Sequence, residues 1–198
     1  MPKRLSAKSA AKTKAKKTVR HPAAPKTDRS KTTKEPEKLY TLTVYIIGGP
    51  LSEEYEGKET SRTIQIKGSQ TLEDLHEVIF AAFDRWENHF YEFNLGTGPY
   101  DRSKIYSLRI ASIGYDDSEK PIGEIETTTI DDLGLKVGRA FGYTFDFGDD
   151  WQHQINVEAI EPAPTRGKFP RIIKRVGKSP PQYPDVDEDD DEYDDDED

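Results

Sequence analysis

The 198-residue chain contains no cysteine and a single methionine. Without cysteine there is neither a disulfide nor a thiolate metal site, which fits a reducing compartment. No apolar run approaches the ~18–20 residues of a membrane-spanning helix. The N-terminus is basic, but no apolar block follows it, so a secretory signal is not expected. Walker and dinucleotide glycine loops are both missing, and so is a nucleophile elbow. Asp146-Phe147-Gly148 copies the magnesium motif of protein kinases. The chain lacks a kinase's glycine-rich loop, its His-Arg-Asp catalytic loop and the necessary length, so that reading is dismissed. These absences lead to the expectation of a soluble, cytoplasmic protein that neither enters a membrane nor carries a cofactor-binding motif.

What is present is charge, very unevenly placed. Residues 1–38 hold thirteen Lys/Arg and three acids, whereas residues 39–165 hold ten Lys/Arg and twenty-three acids. Residues 166–184 add six Lys/Arg and no acid, and residues 185–198 hold twelve acids and no base. The formal charge of −9 is therefore an average over four electrostatically different segments. Both ends are nearly free of large apolar side chains and cannot offset the entropy of ordering. The expected organisation is a disordered basic tail at 1–38, one α+β domain at 39–184, and a disordered acidic tail at 185–198.

Within the domain, hydrophobic periodicity marks the elements. Tyr40, Leu42, Val44 and Ile46 alternate as a strand that Gly48-Gly49-Pro50 ends. Arg62, Ile64 and Ile66 alternate as a second. Thr71-Leu72-Glu73-Asp74 fits a capping box, with Leu72, Leu75, Ile79 and Phe83 following at helical spacing. His89, Tyr91, Phe93 and Leu95 would share one face of a third strand, and Ile105–Ile113 reads as another. Residues 114–126 read as a loop and Ile130–Leu135 as a short helical turn. Phe141, Tyr143, Phe145 and Phe147 line a strand, Gly148-Asp149-Asp150 turns it, and Trp151, His153, Ile155 and Val157 line its return. Hairpin, capped helix, strand, helical turn, strand is the order of a ubiquitin-like β-grasp, a mixed sheet on one main helix. Here a C-terminal hairpin would extend that plan.

Four segments carry a family resemblance: YTLTVYI (40–46), TLEDLHEVIFAAFDRWENHFYEF (71–93), DDLGL with FGYTFDFGDDWQH (131–153), and KFPRIIKRVGKSPPQYPD (168–185). With its Leu75-His76 pair, Trp86, His89 and Phe93, the chain resembles the plasmid pRiA4b ORF-3-like family, whose members also occur as passenger proteins of mobile elements. It departs from that pattern in its long basic tail, and in lacking the Cys- and Gly-containing closing segment of many members. The resemblance implies little about function.

His76, His89 and His153 all fall on expected apolar faces, where an imidazole needs partners for both ring nitrogens. If they converged with Asp149 they could hold a divalent metal with an open position. The competing readings are structural, hydrogen-bonded histidines, or a ligand pocket walled by Trp86 and Trp151. No local HxH or HExxH pair supports the metal. Asp149-Asp150 could act as an acid–base pair, but adjacent carboxylates in a turn usually cap it and face water.

The basic tail, including Lys12, Lys14, Lys16, Lys17 and Arg20, suits sequence-independent contact with nucleic acid. Arg171, Lys174 and Arg175 belong to a second basic stretch, which would either extend that contact or pack over the acidic core. The leading expectation is a non-enzymatic interaction module, its basic arm on nucleic acid and its acidic tail regulating that contact. The alternative is a small metal-dependent enzyme or ligand-binding domain using the His/Asp/Trp set. A protein–protein adaptor using the sheet edge or the aromatic face is the third reading.

Overall fold

A computed structural model describes residues 35–111 and 120–184. The disorder expected for the two tails lies outside these residues, except that Lys38 already opens the first strand and Glu37 accepts a bond from Lys67 Nζ. The chain runs β1 (Lys38–Gly48), β2 (Ser61–Lys67), α1 (Leu72–Ala82), β3 (Tyr91–Asn94), β4 (Ile105–Ser107) and β5 (Gly123–Glu124). A 3-10 turn (Asp131–Leu133), β6 (Ala140–Phe145), β7 (Trp151–Pro162) and β8 (Arg171–Val176) follow. All eight strands join one mixed sheet in the order β5-β4-β3-β6-β7-β1-β2-β8. Only the β4–β5 pair is parallel.

The ubiquitin-like expectation is therefore wrong. The β6–β7 hairpin does not extend a completed grasp but sits at the centre, with β6 against β3 and β7 against β1. A main helix wrapped by a sheet is also geometrically excluded. The eleven residues of α1 span ~16 Å, whereas eight strands ~4.8 Å apart span ~34 Å. The fold is mainly sheet, and its one described α-helix covers a fraction of one face.

Sequence alternation decides which face that is. Tyr40, Leu42, Val44, Ile64, Ile66, Phe141, Tyr143, Phe145, Trp151, Ile155 and Val157 are all buried beneath α1 and the loops beside it. The odd-numbered positions of β1 and β2 and the even-numbered positions of β6 and β7 carry Thr41, Thr43, Thr63, Gln65, Thr144, Gln152, Gln154 and Asn156 on the opposite, polar face. Cross-strand pairs such as Thr43–Thr63 at 3.3 Å tie that face together. Gly142 is required on it, because a Cβ there would collide with the Pro99 carbonyl of the loop that crosses β6.

Both ends of α1 are anchored by side chains. Thr71 Oγ1 accepts from the Asp74 amide, and Asp74 accepts from the Thr71 amide, completing the capping box read from the sequence. At the other end Arg62, buried on β2, donates to the Ala82 carbonyl at 2.8 Å and to the Val176 carbonyl of β8 at 2.7 Å. The helix is thus fastened to the sheet edge.

The strand expected over 105–113 stops at Ser107, and β5 lies in the segment read as a loop. Replacing Thr71 by alanine is expected to lower stability by about 1 kcal/mol in denaturant unfolding; an unchanged midpoint would show that the box contributes nothing.

Candidate functional site

A polar cluster within the core lies where side chains at α1 meet β3, β6 and β7. Tyr143, wholly buried on β6, faces the helix. Its hydroxyl is 2.7 Å from His76 Nδ1, and the His76 ring stacks on Tyr91 with centroids 3.5 Å apart and planes 6° from parallel. His153 stands directly opposite Tyr143 in the β6–β7 register, and its Nδ1 donates to the Tyr143 carbonyl at 3.3 Å. Two histidines thus bracket one tyrosine.

Burial fixes their protonation. It lowers both imidazoles from 6.5 to about 3, the charge of nearby Arg85 adding to the effect at His153. The Tyr143 phenol is raised well above its ordinary value by the same burial. At neutral pH the cluster is uncharged.

Arg85, just past the helix, is 7 % exposed. Its guanidinium carbon lies 3.7 Å from the centroid of the Trp151 ring, and Nη1 donates to the Pro180 carbonyl at 3.2 Å. Among the described residues its Nε and Nη2 have no hydrogen-bond partner, and burial draws its pKa down to about 10. Trp151, fully buried, donates its indole N–H to the Gln182 carbonyl at 3.2 Å. The Gln182 side chain accepts from the Trp86 and Glu87 amides and donates to the Glu87 carbonyl. The chain around Pro180–Tyr183 is thereby strapped across the end of the core. The space between α1 and this cluster, lined by Phe80, Phe83, Arg85, Tyr143 and His153 among others, has no room for a water molecule.

The four residues considered as metal ligands separate into two places. His76 and His153 meet at Tyr143. His89 precedes β3 instead of lying in it, with Nε2 2.8 Å from the Tyr183 hydroxyl and 3.5 Å from Asp146 Oδ2. Asp149 lies in the β6–β7 turn, where its amide donates to Asp146 Oδ1 at 3.4 Å. Among the described residues no group of three or more His, Asp or Glu side chains is placed to hold a metal ion. The two tryptophans do not wall one pocket: Trp151 is core, whereas Trp86 is 69 % exposed with its ring edge-on to Tyr183.

Of the basic residues, Lys12, Lys14, Lys16, Lys17 and Arg20 lie outside the described ones. Arg171 donates to Gln65 Oε1 and sits over the Phe169 ring, and Arg175 donates to the Ala82 carbonyl. Lys174 lies opposite Thr63 on the edge strand. Residues 171–176 of the second basic stretch thus form the edge strand β8.

Tyr143, Tyr91, Arg85 and Gln182 were not singled out from sequence. Tyr143 lay in an alternating aromatic run that announced burial but not a hydroxyl's partner. A buried arginine without an acidic partner, and a glutamine in a Pro-rich tail, leave no periodic signal.

The model of the plasmid pRiA4b ORF-3-like protein family matches residues 52–187, which takes in the helix, the histidine–tyrosine cluster and the strap. The chain belongs to this family. It is 30% identical over 128 residues to the uncharacterised protein y4hQ of Sinorhizobium fredii (strain NBRC 101917 / NGR234), a match covering 61% of this chain and 57% of that relative. The chain thus spans little more than half the length of that relative. Its fold is similar to the crystal structure of MM3350, a protein of unknown function from Methanosarcina mazei Go1. The TM-score is 0.58 and the identity 24%, over 74% of each chain. Within the matched residues, His76 supplies the imidazole under Tyr143, and Trp86 and His89 pack against Tyr183 of the strap.

Tyr143→Phe leaves His76 Nδ1 without its partner, so the expected loss is ~1–3 kcal/mol in denaturant unfolding; a neutral or stabilising result would contradict the hydrogen bond. The histidines also set a pH dependence. Each stays neutral when folded and takes a proton near pH 6.5 when unfolded, so their contribution is complete above that pH and is lost as pH falls toward 3. By pH 5 the loss is about 2 kcal/mol per histidine. Unfolding at pH 7.5 and pH 5 checks this: His76→Gln and His153→Gln should each remove about half of the dependence, and an unaltered dependence in both would refute it.

Proposed function

We propose that the protein is a non-enzymatic interaction module whose basic arm contacts nucleic acid. The observation that carries this reading is the closed, uncharged state of the Tyr143 cluster. General acid–base chemistry needs a group titrating near working pH and within reach of substrate. His76 and His153 are held far below that range, and the adjoining space admits no water. A metal site on His76, His89, Asp149 and His153 has less support, because His76 and His153 meet in the core, whereas His89 bonds Tyr183 of the strap and Asp149 lies in the β6–β7 turn.

The domain then serves as a carrier. Its own acidity between residues 39 and 165 opposes a broad nucleic-acid surface, which leaves the contact to Lys12, Lys14, Lys16, Lys17, Arg20 and the rest of the arm. Arg171, Lys174 and Arg175 supplement it from the outer edge of β8. The acidic tail competes for the arm and weakens the contact. Carriage on a mobile element and a cytoplasmic location accompany this reading, on the strength of the family and the absence of cysteine. No helix among the described residues is long and apolar enough to cross a membrane.

A protein partner is the second reading, favoured by the exposed Trp86, Phe90, Phe147 and Tyr183 around the strap. Fluorescence anisotropy of labelled duplex DNA and of labelled RNA, titrated at several salt concentrations, separates the two. Neutralising Lys12, Lys14, Lys16, Lys17 and Arg20 together should reduce the slope of log affinity against log salt by up to about 4.5 for duplex DNA. Trp86→Ala should leave that slope unchanged. Absence of binding by the full chain near physiological salt would overturn the nucleic-acid reading.

A further inference from the structure

The 3-10 turn, β4 and the loop leading into β6 line an open cavity of about 420 Å³ that shares no residue with the Tyr143 cluster. Its lining includes Lys104, Lys136 and Arg139 and no acidic residue. That is unexpected from composition, because residues 39–165 hold only ten Lys/Arg against twenty-three acids. Three of those ten cations line one cavity in the acidic part of the chain.

The three are positioned through one short piece of backbone. The Leu95 amide donates to the Lys104 carbonyl at 2.8 Å, and the Leu95 carbonyl accepts from Arg139 Nη2 at 3.0 Å. Arg139 also donates to the Gly96 carbonyl, and its amide donates to the Lys136 carbonyl at 3.0 Å. Arg139 is thereby fixed. Among the described residues no acidic side chain pairs with Lys104 or Lys136. Ammonium groups lining one cavity without counter-charges among the described residues raise one another's energy, and an anion between them relieves it.

The remaining wall is apolar. Tyr106, Ile122 and Leu133 line the cavity, and Ile122 is 57 % exposed although it follows Pro121 into a segment bonded to β4. The exposed Ile122, beside cations that have no acidic partner among the described residues, makes the lining part apolar and part cationic. The volume falls in the range of small-ligand sites, roughly 300–1,000 Å³.

We infer that this cavity binds a small organic anion, an aromatic ring or short apolar body bearing one carboxylate, sulfonate or phosphate group. The apolar body lies on Tyr106, Ile122 and Leu133, and the anionic group faces Lys104 and Lys136 with Arg139 behind them. This site is independent of the basic arm, and its occupancy does not depend on nucleic-acid binding.

The test uses the full chain and two dyes of one shape. 8-Anilinonaphthalene-1-sulfonate carries the anionic group, and N-phenyl-1-naphthylamine has the same rings without it. Fluorescence titration should give one sulfonate dye per chain. Its affinity should fall tenfold or more in Lys104→Met/Lys136→Met, whereas the neutral dye should bind both proteins alike. Ile122→Asp, which adds a carboxylate at the apolar wall, should also weaken the sulfonate dye at least tenfold. Equal sulfonate affinity in all three proteins would place the dye elsewhere, as on the exposed aromatic rim, and overturn the inference. So would failure of the sulfonate dye to bind the unsubstituted chain, or equal loss of both dyes in the lysine variant.

Discussion

One three-turn helix has to close the inner face of an eight-stranded sheet, and the rest of the structure follows from how that mismatch is met. The helix is too short, so its ends are fastened and its flanks are filled. Thr71 and Asp74 fix the start, and Arg62 fixes the end by joining the last turn to β8. Aromatic rings fill the middle, because each covers more area per residue than an aliphatic side chain. The strap around Gln182 covers what the helix leaves open.

Closing a core with tyrosine, tryptophan and histidine brings polar atoms inside, where an unpaired one is costly. The hydroxyl of Tyr143 meets His76, its carbonyl meets His153, and the Trp151 indole meets Gln182. Histidine suits this role only as the neutral ring, which explains why the residues with the most chemical promise are the least available for chemistry. The accessible features lie elsewhere: the exposed rim at Trp86 and Tyr183, the β8 edge, and the cation-lined cavity by β4.

The sequence was most informative where periodicity and capping agree. The alternation in 40–46 and 141–157 and the Thr71–Asp74 box each identify an element that the structure contains. Strand order was not legible, because alternation states which face is buried and not which strand is the neighbour. The central insertion of β6–β7 therefore appeared as an extension of a smaller fold. The strand β8 was hidden by Arg171, Lys174 and Arg175, since an edge strand exposes most of its side chains and loses its alternation. Among the histidines, shared apolar faces correctly announced burial for His76 and His153. They gave no information on partners, and His89 proved to lie before β3, bonded to Tyr183 of the strap. Arg85 could not be foreseen, because its burial depends on the Trp151 ring beneath it and the Pro180 carbonyl beside it.

The account rests on His76 and His153 being structural and uncharged. The most direct measurement is a pH titration of the histidine ring signals by NMR in the intact protein, from pH 8 to pH 5. The account predicts that the His76 and His153 resonances stay those of a neutral ring throughout, with His153 in the Nδ1–H form. A midpoint near 6.5 for either ring would mean that the site opens to solvent, and would contradict the closed cluster on which the non-enzymatic reading depends.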